Sequence, residues 1–282
     1  MPTIVWHSDQ LPHRFPDVHT SLNTILKKHG IAYQPITQSR DIWCRDYMPV
    51  RSADGSLVQF VYWPRYLRSA NYADRITTPG CYGDLPFTSQ VSESVIILDG
   101  GGVEISGKTG IVTEQVFKDN YWYPREELAA KLKVTLKLDK LIVIPIEQGD
   151  VTGHVDGVVR FINEKRVMMN DYSLPKDEKS SCSAAYGRKV ERILQQSGLQ
   201  VELIPYAPTD NLGPDGMPVA IGCYINFLRI DNLVILPQFE IAEDLHAVKE
   251  CKRIFGEDVT VEPVDCSELA WDGGVLNCVS WC

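Results

Sequence analysis

Four short segments carry residues equipped for chemistry. The first, Gly273-Gly274-Val275-Leu276-Asn277-Cys278, delivers a cysteine behind two glycines. Glycine allows unusual backbone angles and the close approach of a ligand. A cysteine beside a cation or a base becomes a thiolate nucleophile. Taken alone, Cys278 reads first as a small buried core residue, and it gains weight as a nucleophile from the other three segments. The second, Thr152-Gly153-His154-Val155-Asp156-Gly157, sets His154 and Asp156 two residues apart. On a strand such residues point to the same side. The histidine could then protonate a leaving amine and afterwards take a proton from water. A metal pair would need a third ligand, and the other histidines lack ligand spacing, so no metal and no cofactor is expected. The third, Asp41-Ile42-Trp43-Cys44-Arg45-Asp46-Tyr47-Met48-Pro49, places Trp43 and Asp46 three residues apart. A ring and a carboxylate suit a planar cation, which grips carboxylates with a fork of N–H groups and stacks on aromatic faces. A loop ion pair of Arg45 with Asp41 or Asp46 is the simpler alternative. The fourth, Asp99-Gly100-Gly101-Gly102-Val103-Glu104, follows a strand-like run. It lacks the lysine and the following helix of a phosphate loop. It reads as a tight turn beside the site, with Asp99 and Glu104 as candidate ligand contacts.

These segments recur at equivalent places in a weak internal repeat. Each copy has a helical stretch, a short strand with a proline near its end, a loop, and one or two further strands. The first copy runs from a helix at 21–30 through the strand 31–36 to strands at 48–51 and 57–62. The second has a helix from Pro124, with proline at the first helical position, then strands at 141–146, 158–162 and 166–170. A third has a helix at 184–196 and strands at 201–206, 222–230 and 233–236; Asn226 lies in the 222–230 run. The fourth has a helix at 242–255, a strand at 259–264 and a final strand at 275–281 containing Cys278. A degenerate fifth unit lies between the first two, at 95–113. Asp46, His154 with Asp156, Asn226 and Cys278 all follow a proline-bearing strand and stand at or near the start of the next. Five such units closed into a ring would bring these positions to one axis and leave no strand edge open. The run Thr3–Trp6 is placed to pair with the last strand and close it.

Together, these segments resemble the agmatine deiminase and bacterial peptidylarginine deiminase branch of the guanidine-modifying (pentein) superfamily. The resemblance lies in W-x-R-D-x-x-P at Trp43 to Pro49, D-G-G at Asp99 to Gly101, G-H-x-D at Gly153 to Asp156, an asparagine in Tyr224-Ile225-Asn226-Phe227, and G-G-x-x-x-C ending at Cys278. The motifs occur in family order and span nearly the whole chain. The resemblance implies an α/β fold, the five-bladed pseudo-symmetric α/β propeller, as a single catalytic domain over 1–282. It also implies a guanidine hydrolase with Cys278 as nucleophile and His154 as acid and base. Asp46 and Asp156 would bind the guanidinium nitrogens, Trp43 would shape the pocket and Asn226 would lie at the site. Agmatine or a related arginine-derived guanidine is the expected substrate. Alternatives are a peptidylarginine deiminase, an amidinotransferase using the same chemistry, and a non-catalytic binding propeller. Agmatine deiminases usually carry histidine just before the nucleophile, where this chain has Asn277.

The whole chain is consistent with this reading. Its 282 residues suffice to bury a core without staples, and 44% hydrophobic with 23% charged residues is ordinary globular composition. A net charge of −9 argues against nucleic acid as a partner and mildly favours a small cationic one. No run of 18 apolar residues is present, so no membrane partner is expected, and the first residues lack the pattern of a secretory signal. The eight cysteines form no C-x-x-C pair and read as free thiols of a cytoplasmic protein. A homo-oligomer is compatible with the sequence.

Overall fold

The computed structural model describes residues 3–69, 72–83, 85–86, 90–173 and 180–282. Among the described residues the strands form five small sheets, and four share one plan. Val50–Arg51 pairs antiparallel with Leu57–Val61, which pairs parallel with Val91–Ile97. Val103–Ser106 pairs antiparallel with Thr109–Thr113, which pairs parallel with Lys140–Ile144. Leu228–Ile230 pairs antiparallel with Leu233–Gln238, which pairs parallel with Thr260–Asp265. In the fourth sheet Val159–Asn163 pairs antiparallel with Arg166–Asn170, and Gln200–Ile204 lies on the other side of Arg166–Asn170.

Each sheet is thus a hairpin joined to a strand that arrives later in the chain. A parallel neighbour requires a crossover, and helices supply most of them. Arg125–Thr135 leads to Lys140–Ile144, Ser180–Gln196 to Gln200–Ile204, and Asp244–Phe255 to Thr260–Asp265. Three 3₁₀ turns, Arg65–Leu67, Ala73–Arg75 and Pro79–Tyr82, lie in the remaining crossover of this type. The fifth sheet is reduced. Ile4–Ser8 pairs parallel with Ala32–Ile36 across the helices Leu11–Arg14 and Pro16–Lys28. Its hairpin partner is a single antiparallel bridge between Trp6 and Trp281. The expected pairing of the N-terminal run with the C-terminal segment therefore occurs through two backbone hydrogen bonds, Trp6 N–H to Trp281 O at 2.7 Å and Trp281 N–H to Trp6 O at 2.9 Å.

The chain divides into two compact units: Met1–Arg45 with Ile204–Cys282, and Asp46–Leu203. In the first, helix Pro16–Lys28 buries Val18, Leu22 and Leu26, one stripe at four-residue spacing. Helix Asp244–Phe255 buries Ala247, Cys251 and Ile254 on one face. The buried Asp244 accepts the Tyr224 hydroxyl at 2.6 Å and the N–H groups of Phe239 and Ile241, so the loop before that helix is folded around one carboxylate. In the second unit, Leu128 and Leu132 of Arg125–Thr135 pack into a core with Val58, Phe60, Ile96, Val112 and Val116.

Several element ends differ from the sequence expectation. The helix expected at 21–30 begins at Pro16, because that proline occupies the first helical position, where a missing N–H costs nothing, and a separate short helix, Leu11–Arg14, precedes it. Pro124 stands as the N-cap of Arg125–Thr135, one place before the first helical position. The run 275–281 is a turn ending in a one-residue bridge, not a strand, and the strand expected at 222–230 is confined to Leu228–Ile230.

Candidate active site

The loops that join the last strand of one sheet to the first strand of the next carry the candidate residues. Asp46 precedes Val50–Arg51, Asp99 and Gly101 precede Val103–Ser106, His154 and Asp156 precede Val159–Asn163, Asn226 precedes Leu228–Ile230, and Cys278 precedes the Trp281 bridge. This is the equivalence that the internal repeat predicts.

In the unit Asp46–Leu203 four of these residues converge on Gly101. Asp46, His154 and Asp156 are buried, at 5%, 8% and 2% exposure. The Gly101 N–H donates to Asp46 Oδ1 at 3.0 Å. A methyl group placed on Gly101 would lie 2.7 Å from Asp46 Oδ1, 2.9 Å from His154 Nδ1 and 3.2 Å from Asp156 Oδ1. The glycine is therefore required for space: backbone occupies the position where any side chain would collide with all three. His154 Nε2 lies 3.0 Å from Asp99 Oδ2, and its Nδ1 lies 3.5 Å from Asp46 Oδ1. Asp99 Oδ1 is buried and has no hydrogen-bond partner.

The His154 loop is built by short-range bonds. Asp150 Oδ1 accepts the N–H groups of Thr152 and Gly153 and the Thr152 hydroxyl, at 2.8, 2.9 and 2.9 Å. The Thr152 hydroxyl oxygen accepts the His154 N–H at 3.2 Å. Gly153 has φ of +69°, and a Cβ there would meet Gln115 Cβ at 2.6 Å, so glycine is needed on two counts. The Thr113 hydroxyl donates to the Gly153 carbonyl. His154 is extended, and Val155–Gly157 is a turn of 3₁₀ helix. His154 and Asp156 thus come to Gly101 through a tight turn, and strand alternation does not account for it.

Electrostatics follow from this packing. Burial alone would lower the His154 pKa, but the carboxylates of Asp46 and Asp99, and then Asp156, outweigh it and push the imidazole up to about 10. Burial raises the Asp46 carboxyl, to about 7, with His154 acting in the opposite sense and Asp99 and Asp156 adding to the rise. Glu104, on Val103–Ser106, has its Oε1 2.7 Å from Arg160 Nε.

The other unit holds the thiol. Cys278 is half-buried, and its N–H and Sγ lie 3.3 and 3.2 Å from Asn226 Oδ1. Asn226 is itself buried and uses its carbonyl to accept the Asn277 N–H at 3.0 Å. The Arg45 N–H donates to the Cys278 carbonyl at 3.1 Å, and Arg45 Nε to the Asn277 carbonyl at 3.3 Å. Asp41 pairs with Arg14, and Arg45 donates to this backbone. Trp43 packs on Gly274: a Cβ there would sit 2.6 Å from the indole. The preceding Gly273 has φ of +94°. Both glycines before the cysteine therefore have structural causes. Asn277 is buried at 2% exposure.

The cysteines with described side chains, at 44, 81, 223, 251, 266, 278 and 282, are free thiols; the Cys182 side chain lies outside the described residues. Burial pushes the Cys251 thiol up to about 12 and the Cys266 thiol well above its ordinary value, which keeps both inert. Among the described residues no three or more His, Cys, Asp or Glu side chains form a group that could hold a metal ion, and no helix is long and apolar enough to cross a membrane. The sequence alone did not reveal Asn226 as the acceptor facing the thiol, or Asp99 as the partner of His154.

The chain is similar to known proteins over most of its length. The agmatine deiminase of Ectopseudomonas mendocina is 24% identical over 284 residues, covering 85% of this chain and 73% of the relative. The C. jejuni agmatine deiminase structure superposes with a TM-score of 0.77 at 16% identity, covering 99% of this chain and 92% of the other. A dimethylarginine dimethylaminohydrolase structure superposes with a TM-score of 0.59 at 12% identity, covering 99% of each. These likenesses assign the mixed α/β pentein fold, whose five-fold pseudo-symmetry the five sheets match. The family described as Porphyromonas-type peptidyl-arginine deiminase matches residues 15–281, a span holding every motif discussed above, and the chain belongs to it.

Proposed function

We propose that the chain hydrolyses a guanidine, agmatine or a related arginine-derived compound, to the ureido product and ammonia. The observation that carries this reading is the buried anionic cluster around Gly101. Asp46 and Asp156 flank it, and Asp99 offers a buried oxygen without a donor. A buried oxygen without a donor is costly in isolation. A planar cation with several N–H groups would satisfy it, with Asp46 and Asp156 as the main carboxylates and Asp99 as a further acceptor. Glu104, ion-paired with Arg160, would be a further contact for the substrate. Trp43 would form an aromatic wall.

In this mechanism Cys278 Sγ attacks the guanidinium carbon as thiolate, its proton disfavoured by the nearby bound cation. His154, held protonated by its carboxylates, gives its proton to the departing nitrogen. A C–S bond forms, a C–N bond breaks and ammonia leaves, giving an amidino-thioether cation. The substrate's charge also draws the carboxylates away from His154, bringing its pKa toward neutrality. The now neutral imidazole takes a proton from water, the hydroxide adds to the carbon, and the C–S bond breaks to release the thiolate and the ureido product, whose hydroxyl proton passes to solvent. Asn226 would orient the thiol. We take 1–282 as a single catalytic domain of a cytoplasmic protein.

Supplying agmatine, free arginine and arginyl peptides and measuring ammonia with ureido product tests the proposal. Release from at least one of them without added amine is expected. Turnover only when an amine acceptor is supplied would instead establish amidino transfer, and turnover of arginyl peptides alone would establish a peptidylarginine deiminase.

A further inference from the structure

In the unit Met1–Arg45 with Ile204–Cys282, two segments run alongside each other, 41–45 and 272–278. They touch directly. Trp43 lies on Gly274, and the Arg45 N–H meets the Cys278 carbonyl at 3.1 Å. At the end farthest from the cysteine, each segment begins with an aspartate two residues before its contact residue: Asp41 before Trp43, and Asp272 before Gly274. Two carboxylates there would repel each other. Arg14, the last residue of helix Leu11–Arg14, lies between them. Its Nη1 is 3.4 Å from Asp41 Oδ1, and its Nη2 donates to Asp272 Oδ2. The guanidinium carbon also lies 5.6 Å from the Phe15 ring centre.

We propose that Arg14 is a positioning residue for the reaction: bridging Asp41 and Asp272, its guanidinium fixes the Trp43 indole on Gly274 and so sets the aromatic wall of the substrate pocket. The inference rests on the guanidine-hydrolase reading above. Three features support it. The Asp41 side chain is 4% exposed, so its charge depends on a partner, unlike a surface pair whose loss costs little. Asp41 Oδ1 also accepts the Ile42 N–H at 2.7 Å, so the orientation of that carboxylate is tied to the backbone leading into Trp43. A planar fork can address two carboxylates with separate nitrogens in fixed geometry, which a lysine ammonium cannot reproduce. Arg14 would not touch substrate; it acts through Trp43.

The test uses the full chain and the guanidine that the wild type turns over fastest. Arg14→Met is expected to raise KM about 10-fold while kcat stays within about threefold, because the pocket wall moves but the thiol and His154 remain. Arg14→Lys should recover part of the loss. Asp272→Asn should reproduce the KM effect, and the Arg14→Met/Asp272→Asn double variant should be little worse than either single variant. Protection of Cys278 from alkylation by agmatine should weaken in parallel, which reads binding without turnover. A purely structural Arg14 would lower Tm and leave KM and protection unchanged in the folded protein, and that result overturns the proposal, as does full additivity in the double variant. Should Arg14→Met fail to fold, an unchanged KM in both Arg14→Lys and Asp272→Asn overturns it equally. Failure of the functional reading would show differently: the wild type itself would turn over no guanidine, and no guanidine would protect its Cys278.

Discussion

Gly101→Ala is the most informative single change in the acid/base cluster. A carbon needs about 3.5 Å from a non-bonded neighbour, and the added methyl would have 2.7 Å to Asp46 Oδ1 and 2.9 Å to His154 Nδ1. The shortfall is about 0.6–0.8 Å on two sides at once. Neither neighbour is the free end of a flexible surface chain, since both are buried and bonded to others. Overpacking of this order costs about 1–3 kcal/mol. A shift of the Gly101 backbone would also strain the 3.0 Å bond from its N–H to Asp46. At about 2–4 °C per kcal/mol, a loss of about 2–3 kcal/mol lowers Tm by about 4–12 °C. The catalytic effect should be larger, because a misplacement near 1 Å can cost about 10²-fold in rate. Gly157→Ala is the matched control. It flanks the same His154–Asp156 motif, yet a Cβ there would meet nothing within 4 Å. Steady-state kinetics and thermal melts of both variants decide the matter. Gly101→Ala with wild-type kcat and Tm, or Gly157→Ala equally impaired, would refute the reasoning.

Three further changes probe other parts of the account. Asp99→Asn removes a carboxylate that holds the His154 imidazole above its ordinary range. The alkaline limb of kcat should then move down by about one pH unit. The raised imidazole contributes stability that is complete below its ordinary 6.5 and is lost as pH rises through about 10; in Asp99→Asn that contribution should be smaller and its loss complete at a lower pH, and an unmoved limb and Tm profile would contradict the pairing. Gly274→Ala should displace the indole, which a Cβ would approach to 2.6 Å, and raise KM about 10-fold with a smaller change in kcat; an unchanged KM would remove Trp43 from the pocket. Asp156→Asn should weaken agmatine binding, measured as protection of Cys278 from alkylation, and unaltered protection would show that the carboxylate does not hold the cation.

The sequence carried more of the topology than of the site geometry. Proline-bearing strands, helices with a four-residue apolar stripe and the recurring hairpins are local patterns, and they appear close to their expected bounds: Arg166–Asn170 as expected, and Leu233–Gln238 and Thr260–Asp265 within two residues. What misled was strand alternation in short segments governed by tertiary bonds. Val275 to Trp281 has the composition of a strand, yet the backbone around Cys278 is committed to Asn226 and Arg45, and it folds as a turn. His154 and Asp156 are two apart, as on a strand, yet Gly153, at positive φ, and the Asp150 cap bend the chain into a 3₁₀ turn. Gly101 was legible as a glycine in a turn, but its close approach to three side chains from distant segments has no local signal. The Arg14 bridge likewise joins residues 27 and 258 positions apart, which no spacing rule reaches.

The central claim is that Cys278 becomes covalently bonded to the amidino carbon during turnover. Rapid acid quench of the protein with agmatine or an arginyl substrate, followed by intact-mass and peptide mass spectrometry, tests it directly. An amidino adduct confined to the peptide bearing Cys278, forming and decaying at rates that support ammonia release and absent from Cys278→Ala, is the predicted result. Ammonia release undiminished in Cys278→Ala would contradict it.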